Sequence, residues 1–474
     1  MVDIHSLTMA LRSRIPSEIV FAVNALHLLA ESTRAIENEP GLAFPLAHAP
    51  ELFEELVELF DDVIEDRLDD TDAEAMPPPS PWRSGALPLS HRAFAALAAE
   101  DDMRLRADAR DVKVPTAFKR SDLAMSLVGL FRHYALMDEN VQIVAASDSV
   151  LGNLIRLCDF DERPNRTLQL SLSELLAVRK DVLQIFTDLA LHIRLTQLPG
   201  DAGVRTLMRL VSFFIDSPDP SIAPDQSPLR QHRPYVDLAV AALAKLAVQD
   251  PSRAIIGAAL PARRIRELID AVMALMPMTG LDFEAISNER GIVFAENLLM
   301  SLYNLVLLAP SDIRQQLRRS AAFGRTVFRV AQRLYAGHPD DFAQNPFGSV
   351  VNRCLDVLIA VDGRAAVTGP AAGAKEPPTP GAQRAGREAD SDAWFGGAFD
   401  GAPDVAGEAQ AQAERQVGRS AGLDTSAGDA PILTSAAASV LQLLVDTRVV
   451  DNGHSSQLTA LCDAMSGRKP RLAL

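Results

Sequence analysis

The chain has 474 residues, of which 48% are hydrophobic, only 5% aromatic and 23% charged, with a formal net charge of −16. So acidic a chain lacks the clustered Lys and Arg needed to grip a phosphate backbone over a broad surface, and no direct DNA binding is expected from it. Three cysteines, Cys158, Cys354 and Cys462, are too few and too scattered for a disulfide scaffold and point to a reducing compartment.

No signal peptide is read at the start, where Asp3, His5, Arg12 and Arg14 interrupt a short mixed segment. The apolar run at Leu298 to Ala309 reads as too short for a bilayer and carries Asn304. The chain is expected to be soluble and intracellular, with no membrane segment.

In chain order, LTMALRSRIPSEIVFAVNALHLLA (7–30) predicts two helical pieces joined at a proline-marked corner. Its apolar spacing, Val23, Leu26, Leu29 and Ala30, recurs downstream. It returns at Val128-Phe131-Tyr134-Ala135, Leu183-Phe186-Leu189-Ala190, Val240-Leu243-Leu246-Ala247 and Leu299-Leu302-Leu305-Val306. A looser copy is Val351-Leu355-Leu358-Ile359. Each is a helix with one buried face. A second helix type alternates with these, at 51–65, 149–158, 203–215, 263–276 and 325–335.

The central anchors Leu26, Phe131, Phe186, Leu243, Leu302 and Leu355 stand 105, 55, 57, 59 and 53 residues apart. A fixed period of alternating helices predicts an all-α fold, an armadillo/HEAT-like α-solenoid over 1–362. Long loops such as 217–234 stretch the period, and an insertion at about 70–115, a loop with one helix in it, doubles the first gap. Residues 363–430, rich in Gly, Ala, Pro, Asp and Glu, predict a disordered linker. Residues 431–474 carry a last helical pattern, SAAASVLQLLVDTRVV.

The chain offers no catalytic set, no metal spacing among its nine histidines, no phosphate loop and no cofactor fingerprint. The most tempting motif is FDDVIED at 60–66. Its Asp61, Asp62 and Glu65 match a D-D-x-x-E box, carboxylates on one helix face that suit Mg²⁺ in isoprenoid-synthase-like enzymes. Such an enzyme needs a second acidic helix, and NLLMSLYN at 297–304 lacks the acids. The plainer reading is a solvated acidic face. Arg318, Arg325, Arg329 and Arg333 predict a basic stripe on a helix, either a dock for an acidic partner or nucleic acid, or a charged outer face. Trp394 and Phe395, between acids in SDAWFGGAFD (391–400), read as a short partner-binding motif or a chance cluster.

The opening helices resemble the helical core region of the large ARID-containing subunit of SWI/SNF chromatin remodelers, the Osa-type family. ALRSR (10–14), ALHLLA (25–30) and LFEELVELF (52–60) carry the likeness, with Arg14 where that family has Gly. It continues through 122–158, 175–195, 234–276 and 341–361. Nothing resembles the family's DNA-binding ARID, so the chain is expected to be a fragment or to have lost that module.

The resemblance implies a nuclear, non-catalytic scaffold of the remodeler's base module, without cofactor or small-molecule substrate. Implied partners are the ATPase through the helix preceding its motor, the SWIRM/SANT scaffold subunits and the SWIB-fold subunit. Asn24 and Asn304 match inner-helix asparagines of that family, while Arg132, Asp188 and Lys245 occupy comparable positions. With His27 they are the expected partner-binding residues, beside Arg318, Arg325 and Arg329. An armadillo or HEAT adapter of another pathway shares the same fold expectation.

Overall fold

A computed structural model describes residues 3–35, 46–65, 90–108, 120–158, 168, 170–215, 234–336 and 347–362. The expected linker 363–430, the helical pattern 431–474, Cys462, Trp394 and Phe395 lie outside the described residues.

The described residues form helices and no strand. In order these are α1 (Ile4–Arg12), α2 (Pro16–Ala35), α3 (Pro50–Ile64), α4 (His91–Asp108), α5 (Arg120–Ala135), α6 (Asp138–Ala145), α7 (Asp148–Leu157), α8 (Leu172–Leu189) and α9 (Gly200–Phe214). They continue as α10 (Pro234–Leu246), α11 (Asp250–Ala259), α12 (Ala262–Ala274), α13 (Gly280–Ala285), α14 (Glu289–Leu308), α15 (Ser311–Arg319), α16 (Ala321–Ala336) and α17 (Gly348–Asp362). The chain is all-α in these residues, as its composition predicts.

Local chemistry sets where helices begin. Ser171 and Glu174 form a reciprocal capping box at α8, and Thr279 with Asp282 does the same at α13. Ser147 caps α7 and Asn288 caps α14 through backbone N–H groups that would otherwise have no partner. Prolines open α2, α3 and α10, where a missing N–H costs nothing.

The helices fall into two compact units, Met1–Arg314 and Gln315–Leu474. In the first unit, α2 packs on α5, α5 on α8, α8 on α10 and α10 on α14. A second succession runs from α1 to α3, α3 to α7, α7 to α9 and α9 to α11. The anchors Leu26, Phe131, Phe186, Leu243 and Leu302 all have 0% exposure. Burying each such side chain contributes roughly 1.5–3 kcal/mol before entropy is counted. In the second unit α16 packs on α17, and Cys354 and Leu355 are fully buried.

Three elements differ from the sequence reading. The second-type pattern at 263–276 is α12, which packs on α14, whereas the short α11 takes the place beside α9. The helix inside the insertion is α4, and it packs on α8 rather than on its chain neighbours α3 and α5. The apolar run at 298–309 belongs to a 20-residue helix, α14, long and apolar enough by composition to cross a membrane. Its burial against α10 gives that apolarity a reason: Leu298, Leu299, Leu302, Leu305 and Val306 are all 1% exposed or less.

Tyr134 on α5 is 1% exposed, and its hydroxyl finds no hydrogen-bond partner among the described residues. Burial pushes its phenol well above the ordinary value. Tyr134→Phe is therefore expected to raise stability by about 1 kcal/mol, read as a higher urea midpoint at unchanged slope.

Candidate functional site

Polar side chains link the stacked helices of the first unit at nearly every step. His27 on α2 donates from Nε2 to the Ser126 carbonyl on α5 at 2.8 Å, and its ring meets His133 edge-on at 5.8 Å. Arg132 on α5 pairs with Asp181 on α8 at 2.7 Å. Thr187 on α8 donates to its own helix at Leu183 and to the Leu238 carbonyl on α10 at 3.4 Å. Lys245 on α10 returns a bond to the Thr187 carbonyl at 3.3 Å.

On α14, Ser301 and Asn304 donate to the carbonyls of Val240 and Ala244, at 2.9 and 3.1 Å. The two bonds climb both helices in step, so α10 and α14 run parallel. Arg253 on α11 completes the link, reaching Asn304 Oδ1 and the carbonyls of Ala247 and Val248.

These contacts place the predicted partner-binding residues. Asn304 is 1% exposed, with both ends of its amide engaged inside the chain, so it holds α14 to α10. His27, Arg132 and Lys245 are half-buried and engaged in the same way. Asp188 accepts from Gln184 at 2.8 Å, and burial raises its carboxyl pKa against the pull of that bond and of Lys245. Asn24 alone of the row residues is exposed.

Asn304→Leu keeps the branched shape of the side chain but leaves the Ala244 carbonyl without its donor. It is expected to cost about 1–3 kcal/mol in denaturant unfolding, an effect absent from a residue that serves only a partner. Ser301, Thr187, Asp181 and Arg253, equal members of this linkage, carry no pattern in the sequence that would single them out.

A second feature recurs with the repeat. Five residues after four successive anchors stand Leu136, Leu191, Val248 and Leu307, which are 44%, 53%, 44% and 37% exposed. They lie just beyond the C-terminal ends of α5, α8 and α10 and in the last turn of α14. On α2, Phe21 and Leu28 are 61% and 68% exposed, with Asn24 between them. Single exposed apolar residues are ordinary; here one stands at the same place in four successive repeats.

The D-D-x-x-E residues do not converge. Asp62 turns to Arg14 at 3.0 Å, and Glu65 faces Arg156 at 3.5 Å. Asp61 accepts from Ser149 Oγ and Asn153 Nδ2, each at 2.5 Å. Asp61 and Glu65 line an open cleft of about 360 Å³ with Asp148, Arg156, Gln197 and Pro199. The expected partner helix, α14, packs instead on α10, α11 and α12 with Ser301 and Asn304 buried. No group of three His, Cys, Asp or Glu suited to a metal occurs among the described residues. The carboxylates thus hold α3 to the corner between α1 and α2 and to α7.

The basic stripe is broken: α15 ends at Arg319 and α16 begins at Ala321, so Arg318 stands on a different helix from Arg325 and Arg329. Arg325 and Arg329 are exposed one turn apart. Cys158 and Cys354 are buried free thiols, and burial holds the Cys354 thiol well above its ordinary range, which suits packing rather than reaction.

The helix order and buried anchors define an all-α protein in which several polar side chains join neighbouring helices. No family model and no curated protein matches the chain. The likeness to the remodeler subunit rests on the residues quoted above.

Proposed function

We propose that the helices form an armadillo-like α-solenoid that serves as a non-catalytic scaffold of a SWI/SNF-type chromatin-remodeling complex in the nucleus. The observation that carries the interaction reading is the repeat-equivalent exposure of Leu136, Leu191, Val248 and Leu307. An array whose units each present one uncovered apolar side chain suits the capture of a long partner segment. The recurring order of a long helix, a short element and a second helix (α5-α6-α7, α10-α11-α12) supports the solenoid.

Support for the particular family comes from Arg14. It replaces that family's glycine, and its φ of 56° is left-handed, the conformation glycine adopts without strain. Ion pairs to Glu55, Glu58 and Asp62 at 3.0 to 3.8 Å offset the strain of the substitution. The partners are then the helix preceding the ATPase motor, the SWIRM/SANT scaffold subunits and the SWIB-fold subunit.

Affinity purification from nuclear extract tests this reading. The native chain is expected to recover a remodeler ATPase, and a Leu136→Asp/Leu191→Asp/Val248→Asp variant of equal helicity is expected to lose it. Recovery of partners with neither a remodeler ATPase nor a SANT protein among them would replace the proposal with an adapter of another pathway.

A further inference from the structure

The insertion helix α4 departs from the order of the chain. It follows α3 and precedes α5 in sequence, yet its seat is on α8. Phe94 lies against Arg179, whose guanidinium is 4.7 Å from the ring centroid, and Asp102 accepts from Ser173 Oγ at 2.8 Å. As α4 advances, its contacts retreat along α8, so the two run antiparallel. The α4 N-terminus reaches further: His91 stacks on Phe214 at 5.0 Å and approaches Tyr235 at 6.1 Å, and Phe94 meets Phe213 at 5.6 Å.

The seat is well built and its occupant is weakly held. Arg179 is 1% exposed, packed against both Phe94 and Phe213 and donating from Nε to the Cys158 carbonyl at 2.8 Å. Lys180 lies over Tyr235. Against this cationic, aromatic trough, α4 presents Asp101, Asp102 and the rings of His91 and Phe94. Among its described side chains only Phe94 and Ala98 are buried apolar groups, whereas α5 buries Leu123, Leu127, Val128, Leu130, Phe131 and Tyr134.

We propose that α4 is an intramolecular ligand, occupying a helix-binding seat on α8 and α9 that also accepts a partner helix of the same pattern. That pattern is an aromatic residue followed seven and eight positions later by acidic ones, as in Phe94, Asp101 and Asp102. The partner competes with α4, so the insertion tunes access to the seat. This goes beyond the scaffold reading and holds whatever pathway the partner belongs to.

Hydrogen exchange on the full chain gives the first test, and α4 amides are expected to exchange faster than those of α8. The second is binding of a fluorescent peptide of residues 90–108 to the full chain and to its Phe94→Ala variant. Because apparent affinity scales with the fraction of open seats, the variant is expected to bind roughly tenfold tighter or more. The same peptide carrying Phe94→Ala is expected not to bind. A folded variant that ignores the peptide, or binds both peptides equally, overturns the proposal. Should the variant fail to fold, the native chain decides, since α4 amides as protected as those of α8 also overturn it.

Discussion

Phe131→Ala is expected to lower the unfolding free energy of the first unit by about 3–5 kcal/mol. Phe131 has 0% exposure on α5 and meets Phe60 of α3 at 5.3 Å between ring centroids, with the planes tilted by 42°. The same helix packs on α2 and α8, so the ring sits where both successions of helices join. Truncation removes the transfer energy of an aromatic side chain and opens a cavity among helices that cannot all close at once. Leu136→Ala, five residues on and 44% exposed, is expected within about 0.5 kcal/mol of the native chain. Urea unfolding followed by helicity checks both. Equal effects would mean that the anchor register has been misassigned.

That register is the part of the fold most legible in the sequence. The anchors were found from spacing alone because a one-sided helix must repeat its apolar residues every three or four positions. The caps Ser171, Glu174 and Asn288 were equally readable, since their hydrogen bonds are local.

What the sequence hid is non-local. The approach of Phe94 to Arg179 and Phe213 joins residues far apart in the chain, and no periodicity within α4 points to α8. The short helices α6 and α11 carry too few apolar positions to stand out beside their longer neighbours.

The candidate site is less legible for a related reason. Asn304, Lys245 and Arg132 are polar residues on apolar helices, and polarity alone does not say whether they meet another protein or the next helix. In the structure they meet the Ala244 and Thr187 carbonyls and the Asp181 carboxylate. The exposed apolar edge, by contrast, is present in the repeat five residues past four of the six anchors. It went unread because in sequence Leu136 and Leu191 merely extend an apolar run.

The second large effect lies where α13 meets α14. Gly291 sits in the first turn of α14, and its amide bonds to the Asn288 cap at 2.8 Å. A Cβ built there would stand 2.4 Å from the Ile286 Cα and 2.8 Å from the Ala285 carbonyl oxygen, both backbone atoms with no rotamer to yield. Gly291→Ala is therefore expected to cost about 3 kcal/mol, although alanine is the better helix former elsewhere. The strain has two outlets. Either α14 loses its first turn and the Asn288 cap, or the α13 end swings away and takes buried Ile286 with it. Hydrogen exchange separates these: lost protection confined to residues 289–293 marks the first, and lost protection across α13 marks the second. In both cases the bonds of Ser301 and Asn304 to α10, lower on the same helix, are expected to stay protected, because those carbonyls fix the register of α14 independently of how it begins. A Gly291→Ala chain as stable as the native one would show that the α13 to α14 corner is not held as closely as these distances require.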